Sequence, residues 1–398
     1  MNSVVRQMWE QDTDVVMVDT GNSYEGLCEY VGGKYISYTD EHPITMNPFA
    51  IKREELNIEK IGFLKNLIML IWKGTQGEVT KTEDRLVEQV ITEYFDEYFV
   101  KKRIDNLSFN TFYEYSTVRI PDIIKENNLA GIDLAAYNYL LKDFYKGGSH
   151  ELTLNENLDT KLFDETFIVF EIDSIKDDPL LFPLVTLIIM DVFIQKMRIK
   201  KNRKVLVIEE AWKAIASPMM AEYIKYLYKT ARKFWASVGV VTQEIQDIVG
   251  SPIVKEAIIN NSDVVMLLDQ AKFRERFDEI KAILGLTDVD CKKIFTINRL
   301  ENKEGRSFFR EVFIRRGSVG AVFGVEEPHE CYMTYTTERA EKEALKLYKK
   351  ELQCDHQHAI EAYCRDWELS GISKSLPFAQ KVNQTGHVLH LTPHNQSE

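Results

Sequence analysis

The stretch KVLVIEEAW, residues 204–212, runs an apolar segment directly into two carboxylates, Glu209 and Glu210. A short apolar run stopped by polar residues is the pattern of a strand buried on both faces of a parallel sheet. Acids at the carboxyl end of such a strand stand where open α/β sheets bind their ligands. In phosphoryl transfer the first acid of such a pair helps to hold Mg2+, often through water, and the second polarises the attacking water. The plainer alternative is an acidic strand end facing solvent, and the stretch alone leaves both readings open.

The surrounding sequence repeats the pattern. Short apolar runs predict strands over 15–18, 167–172, 204–208, 238–242 and 263–268, with a further short strand inside 32–49. Helical spacing falls over 180–198, 219–233 and 251–260. Strand–helix–strand units of this length predict an α/β fold, a parallel sheet covered by helices. From residue 54 to about 146 the pattern is helical almost throughout, as in IGFLKNLIMLIWKG and RLVEQVITEYFDEYF. A mostly helical insertion, 54–150, is therefore expected between core segments 1–53 and 151–345. REVFIRR and GAVFGV, separated by Gly317 and Ser318, predict an antiparallel pair, and 337–353 a polar helix. Residues 346–398 read as a C-terminal helix and a flexible tail, frayed beyond Gly371 where Ser, Gln, His and Asn accumulate.

Other residues gain meaning beside Glu209 and Glu210. Gln243 follows the strand VGVVT, and an amide at the tip of a neighbouring strand can hydrogen-bond both a γ-phosphate and the lytic water. Arg232-Lys233 and Arg315-Arg316 can stabilise transition-state charge, in trans within a ring, although basic pairs are more often solvated surface charge. DTGNSYEG, residues 19–26, ends a strand in a turn, but it is no phosphate cradle. No Gly-x-x-x-x-Gly-Lys-Ser/Thr occurs anywhere in the sequence, and Gly147-Gly148-Ser149 and Lys73-Gly74-Thr75 lack the spacing and the terminal lysine. Cys354, His356, His358 and Cys364 lack the paired spacing of a metal site and read as structural.

Composition sets outer bounds. With 44% apolar and 28% charged residues the 398-residue chain can bury a large core, which excludes low-hydrophobicity disorder for most of it. A net charge of −12 argues against an extended basic face for nucleic acid. Five scattered cysteines read as reduced cytosolic thiols. The N-terminus lacks a signal-peptide core, and the apolar stretch 180–194 carries Pro183 and Asp191 and falls short of a spanning helix.

Taken together, DTGNSYEGLC, ITMNPF, FIVFEID, LVIEEAWKAIASPMMAEYIKYLYKTARK, VVTQEIQDI, SPIVKEAIINNSD, EVFI and YTTERAEKE resemble the C-terminal portion of TraG-family conjugation ATPases, across roughly residues 1–345. These are large type IV secretion motors of conjugative transposons, with a wider relationship to HerA/FtsK-like RecA-fold motors. The resemblance implies a RecA-like, P-loop-NTPase-type parallel sheet. It implies the Walker B acid at Glu209, the catalytic glutamate at Glu210 and the sensor glutamine at Gln243. Arg232, Lys233, Arg315 and Arg316 fall where such motors place finger or phosphate-sensing residues. In that family the first core strand and the Gly-rich loop directly precede the residues matching MNSVVRQMWEQ. The resemblance therefore implies that both are missing here and that the chain is inactive alone.

It also implies ATP and Mg2+ as cofactors, other conjugation and type IV secretion proteins as partners, and a homo-hexamer in the intact family. Its place would be cytoplasmic, at the inner face of the membrane through partners, with contact to DNA left open. Two alternatives stand beside it: a non-catalytic assembly module that caps a ring of full-length motors, and an α/β protein whose acidic strand ends are incidental.

Overall fold

The computed structural model describes residues 1–39, 41–157, 160–210, 218–242, 258–299 and 309–389. The chain forms two units, one of Asp12–Thr20 and Ile36–Ile258, the other of Met1–Gln11, Gly21–Tyr35 and Ile259–Glu398.

The first unit is built on a sheet. Strands β1 (Thr13–Asp19), β2 (Lys34–Ser37, of which Ile36 and Ser37 belong to this unit), β3 (Phe167–Glu171), β4 (Arg203–Ile208) and β5 (Ala236–Val240) lie in the order β2-β3-β1-β4-β5. β1 runs parallel to β3 and to β4, with Val15 opposite Phe167 and Val205, and β4 runs parallel to β5 with Lys204 opposite Ala236. Every residue of β1 and β3 is buried, which is why these strands read as unbroken apolar runs rather than alternating ones. β5, at the sheet's edge, is only half-buried.

The helix Leu181–Ile199 is apolar on nearly all sides and buries every residue from 181 to 194. Such a helix must be enclosed. It packs on β1 and β4 and against the helix Ile58–Lys73. Two ion pairs fix it there: Lys60 Nζ to Asp191 Oδ2 at 2.8 Å, and Lys196 Nζ to Asp14 Oδ2 at 2.8 Å. Lys196 also donates to the carbonyls of Phe163 and Glu165, at 3.0 and 2.5 Å. With its protons occupied, the buried charge is compensated rather than stranded.

Between β2 and β3 the described elements are all helical, chiefly Ile58–Lys73, Lys81–Phe99, Phe109–Glu126 and Leu134–Leu141. Each of these four starts on a side chain that accepts a free backbone N–H: Asn57, Thr80, Ser108 and Asp133. Phe49 closes this helical core, stacking on Phe112 at 4.8 Å and meeting Tyr94 edge-on at 5.9 Å.

In the second unit, β6 (Val264–Leu267), β7 (Phe309–Arg316) and β8 (Val319–Glu326) form an antiparallel sheet in the order β6-β7-β8. The expected hairpin is there, turning at Gly317, whose φ of 58° favours glycine. The 263–268 strand departs from expectation. It joins this antiparallel sheet rather than the parallel one, and its exposure alternates along the strand. Its four apolar residues resemble a strand buried on both faces, but Val264 and Met266 face outward.

A second departure lies beyond Gly371. Instead of fraying, Ser375–Thr385 is a helix burying Phe378, Ala379 and Val382. That i, i+1, i+4 spacing makes one apolar face, which a count of polar residues conceals. The face joins a core with Tyr348, Tyr363 and Trp367 from the helices Arg339–Leu352 and His356–Leu369. No described helix is long and apolar enough to cross a membrane.

Candidate functional site

The carboxyl edge of the parallel sheet gathers acids from three adjacent strands. β3 ends at Glu171, β1 at Asp19, and the chain leaves β4 through Glu209 and Glu210. Backbone bonds carry the ladder past the strand ends. Ile172 N–H donates to Asp19 O at 3.0 Å, Glu209 N–H to Val18 O at 3.0 Å, and Val241 N–H to Ile208 O at 2.9 Å. Glu209 is therefore held at the level of Asp19, with Val241, just past the end of β5, beside them. Gln243, the expected sensor, lies outside the described residues.

These acids are not equivalent. Asp19 and Glu171 are almost fully enclosed, at 1% and 3% exposure, and Glu171 Oε1 accepts the Asp173 N–H at 2.8 Å. Glu209 and Glu210 are half-exposed and reach solvent. Glu210 also takes a left-handed backbone, with φ of 49°. A non-glycine residue in that region costs on the order of 1 kcal/mol, and such strain collects at functional sites. Sequence reading passed over Glu171, although FIVFEI carries the same signal as KVLVIEE, an apolar run closed by an acid.

The basic candidates separate. Arg232 and Lys233 lie in the turn Arg232–Phe234 just before β5, at the amino end of a strand parallel to β4. The length of β5, roughly 15 Å, divides them from the acidic edge of their own sheet. Arg315 and Arg316 belong to the second unit, on β7, where successive side chains point to opposite faces. Arg315 Nη1 donates to Gly285 O at 3.1 Å, closing the end of the helix Phe277–Leu284. It also acts on Asp290: burial pushes that carboxyl up, but bonds from Thr287 and the charges of Lys293 and Arg315 hold it below its ordinary value. Arg316 is exposed on the other face, opposite Val264 and Val319.

The two histidines of the helix His356–Leu369 take separate partners, and Cys354 and Cys364 are free thiols. His356 Nδ1 lies 3.3 Å from Glu29, while Asp355 caps the helix His356–Leu369 by accepting the His358 N–H at 2.9 Å and meets the His358 ring at 2.8 Å. Among the described residues no group of three or more His, Cys, Asp or Glu is placed to hold a metal ion.

A parallel sheet covered by helices defines an α/β core of the RecA-like P-loop type. The chain belongs to the TraG P-loop domain family, whose sequence model matches residues 1–367. It is similar to Protein TraC of Escherichia coli (strain K12), with 22% identity over 297 residues, 70% of this chain and 31% of TraC. The chain thus spans less than a third of that relative's length. Among solved structures, VirB4 of Thermoanaerobacter pseudethanolicus shares the fold at a TM-score of 0.59 and 19% identity, covering 82% of this chain and 85% of VirB4. The bacterial conjugative coupling protein TrwBΔN70, in complex with sulphate, shares it at 0.52 and 12%, covering 82% of this chain and 80% of TrwB. The plasmid coupling protein TrwB in complex with ADP and Mg2+ does so at 0.50 and 13%, with 82% and 81% covered.

Proposed function

We propose that these residues form the acid-bearing part of an ATP-hydrolysing motor core that serves conjugative transfer through type IV secretion machinery. The observation that carries the reading is the pair Glu209-Glu210 at the carboxyl edge of β4, with Glu210 in a strained left-handed conformation. Half-exposed carboxylate oxygens suit a hard, hydrated cation, so the donor set fits Mg2+. Glu209 is the residue to hold it, and a bound Mg2+ would neutralise charge on nucleotide phosphates. ADP and Mg2+ in the structurally similar TrwB support the choice of ligand.

Glu210 is then the base that orients and polarises the attacking water, and Gln243 the amide that senses the γ-phosphate. Arg316, exposed and free of the helix-end bond that occupies Arg315, is the better placed of that pair to act on a neighbouring subunit. Arg232 and Lys233, at the opposite edge from the acids, would likewise serve a neighbour's site. Within such a motor, residues 54–150 form an insertion between core segments 1–53 and 151–345, in a homo-oligomer working with other secretion proteins. The 398 residues contain no Gly-Lys-Ser/Thr loop, so by themselves they are expected to bind nucleotide weakly.

The test is ATP hydrolysis by the 398-residue chain and by a fusion carrying a designed strand, Gly-x-x-x-x-Gly-Lys-Ser/Thr loop and helix ahead of Met1. The fusion should gain activity, and Glu210→Gln should remove it by about 10²–10⁴-fold. An active fusion whose rate ignores Glu210→Gln sinks the assignment.

A further inference from the structure

The amino edge of the parallel sheet is basic at one side. The segments 198–204 and 225–235, both in the first unit, hold nine lysines and arginines and no acid, in a chain whose net charge is −12. The first ends the helix Leu181–Ile199 and enters β4, and the second ends the helix Pro218–Ala231 and enters β5. β4 and β5 are neighbours with Lys204 opposite Ala236, so the two turns stand side by side, about 5 Å apart. The acids of this edge, Asp12 before β1 and Asp164 and Glu165 before β3, lie on the far side of β4 from β5.

A buried lysine ties the two turns together. Lys204, 1% exposed, donates its backbone N–H to Trp235 O at 3.0 Å and its ammonium to Asn202 O at 2.5 Å and Phe234 O at 3.2 Å. Two further cations are engaged at the margin, Arg198 with Glu59 and Lys200 with Asp164. Lys201, Arg203 and Lys229 are exposed and form no ion pair among the described residues. Arg232 and Lys233 are exposed in the same turn but, assigned above to a neighbour's site, stay outside the count.

The second observation is what stands among these charges. Trp235 is 73% exposed and Ile199 58% exposed. Trp235 also takes a left-handed backbone, with φ of 56° and ψ of 36°, a conformation that costs a residue bearing a Cβ. Its N–H and carbonyl hold the turn, bonded to Arg232 O at 3.4 Å and to Lys204 N–H, while the indole is left in water. Large apolar side chains set among unpaired cations match a surface that is anionic outside and apolar beneath, as a phospholipid headgroup layer is. A nucleic-acid strand would meet the cations and stack a base on the indole, but it offers nothing to an aliphatic isoleucine.

We propose that this corner of the first unit is a docking surface for a bilayer rich in anionic phospholipid. Lys201, Arg203 and Lys229 meet the lipid phosphates, and Trp235 and Ile199 enter the headgroup layer beside them. Such attachment needs no spanning helix, and no described helix is long and apolar enough to be one. It is direct, whereas the family resemblance alone places the chain at the membrane through partners. β4 and β5 run parallel from this edge to the acidic one, so a docked chain keeps Glu209 and Glu210 turned away from the bilayer. The proposal does not rest on nucleotide binding there.

The test is co-sedimentation of the 398-residue chain with phosphatidylcholine vesicles, with and without roughly one phosphatidylglycerol in three lipids. The anionic vesicles should bind at least about tenfold more tightly than the neutral ones, and the binding should fall as salt rises. Lys201→Gln with Arg203→Gln should weaken it by about tenfold or more. Lys201→Arg with Arg203→Lys keeps the charge and should bind as the parent chain does. Trp235→Ala should weaken binding about fivefold. Brominated lipid should quench part of the tryptophan emission of the parent chain but not that of Trp235→Phe. Equal binding to neutral vesicles overturns the proposal, as does a neutralised double variant that binds like the parent. Quenching that survives in Trp235→Phe does the same, and so does loss of binding in the charge-keeping variant, since the effect would then lie in the fold. An oligothymidine that displaces the vesicles by binding more tightly to the same residues overturns it in favour of a nucleic acid.

Discussion

The two edges of the five-stranded sheet hold similar charged residues in opposite surroundings. At the amino edge Asp14, Lys196 and Lys204 are 3%, 0% and 1% exposed. They are bound to one another's surroundings: Lys196 to Asp14 at 2.8 Å, Asn202 Nδ2 to Asp14 at 2.6 Å, and Lys204 Nζ to the Asn202 carbonyl at 2.5 Å. At the carboxyl edge Glu209 and Glu210 are half-exposed, and one of them holds a strained backbone. A charge enclosed and compensated holds elements together, whereas half-exposed acids on a strained turn keep contact with solvent. The contrast teaches that charge at a strand end says little until its enclosure is known.

The largest effect should come from breaking the enclosed pair. Lys196→Ala strands Asp14 without its cation and should cost about 3–5 kcal/mol, measured by urea unfolding of the full chain. Replacing both partners together, Asp14→Leu with Lys196→Met, should recover most of that loss. A double variant as weak as the single one would show that the pair does more than compensate itself.

The carboxyl edge should respond in the opposite sense. Glu210→Gly relieves the left-handed conformation and should stabilise the chain by about 1 kcal/mol while removing any hydrolytic activity of the fusion described above. Destabilisation instead would mean that the Glu210 side chain holds the turn, and the contrast between the edges would fail.

The arginine pair gives a smaller version of the same comparison. Arg315→Ala loses the bond to Gly285 and should cost about 1 kcal/mol, whereas exposed Arg316→Ala should stay within about 0.5 kcal/mol. If the thermal shifts were reversed, the assignment of the two faces of β7 would be wrong.

The smallest effect is a slope with pH. Burial lowers the pKa of Lys204, which opposes its charged form in the folded state. The unfolded chain then binds more protons, so this contribution to stability is lost as pH falls through the folded pKa and is fully present only above the ordinary lysine range. Melting curves across pH 8–10.5 should rise less steeply for Lys204→Met than for the parent chain.

Much of the fold was legible because burial leaves a period in the sequence. The runs at 15–18, 167–172 and 204–208 became β1, β3 and β4 since strands covered on both faces tolerate only apolar residues. The 263–268 run misled because a half-exposed strand that happens to carry Val264 and Met266 outward writes the same letters. The helix Ser375–Thr385 escaped because three well-spaced apolar residues suffice to dock it, and composition averages over spacing. At the candidate site, Glu209, Glu210 and Asp19 could be picked out as acids closing apolar runs. Which of them stays wet could not, because exposure depends on what packs over each strand end.

The parallel α/β core, the helical stretch between β2 and β3, the hairpin of β7 and β8, and the acids at the ends of β1 and β4 all follow from local period and chain direction, so they can be read from the residues alone. It takes the folded chain to show that Arg232 and Lys233 stand at the far end of β5 from those acids, that Arg315 is engaged while Arg316 is exposed, and that Glu210 is strained. Folding also brings Lys60, Asp191 and Tyr223, distant in sequence, around one small cavity. Those facts depend on strand order, on which face of a strand is covered, and on where helices come to rest. Such contacts join residues far apart along the chain, and no local pattern records them.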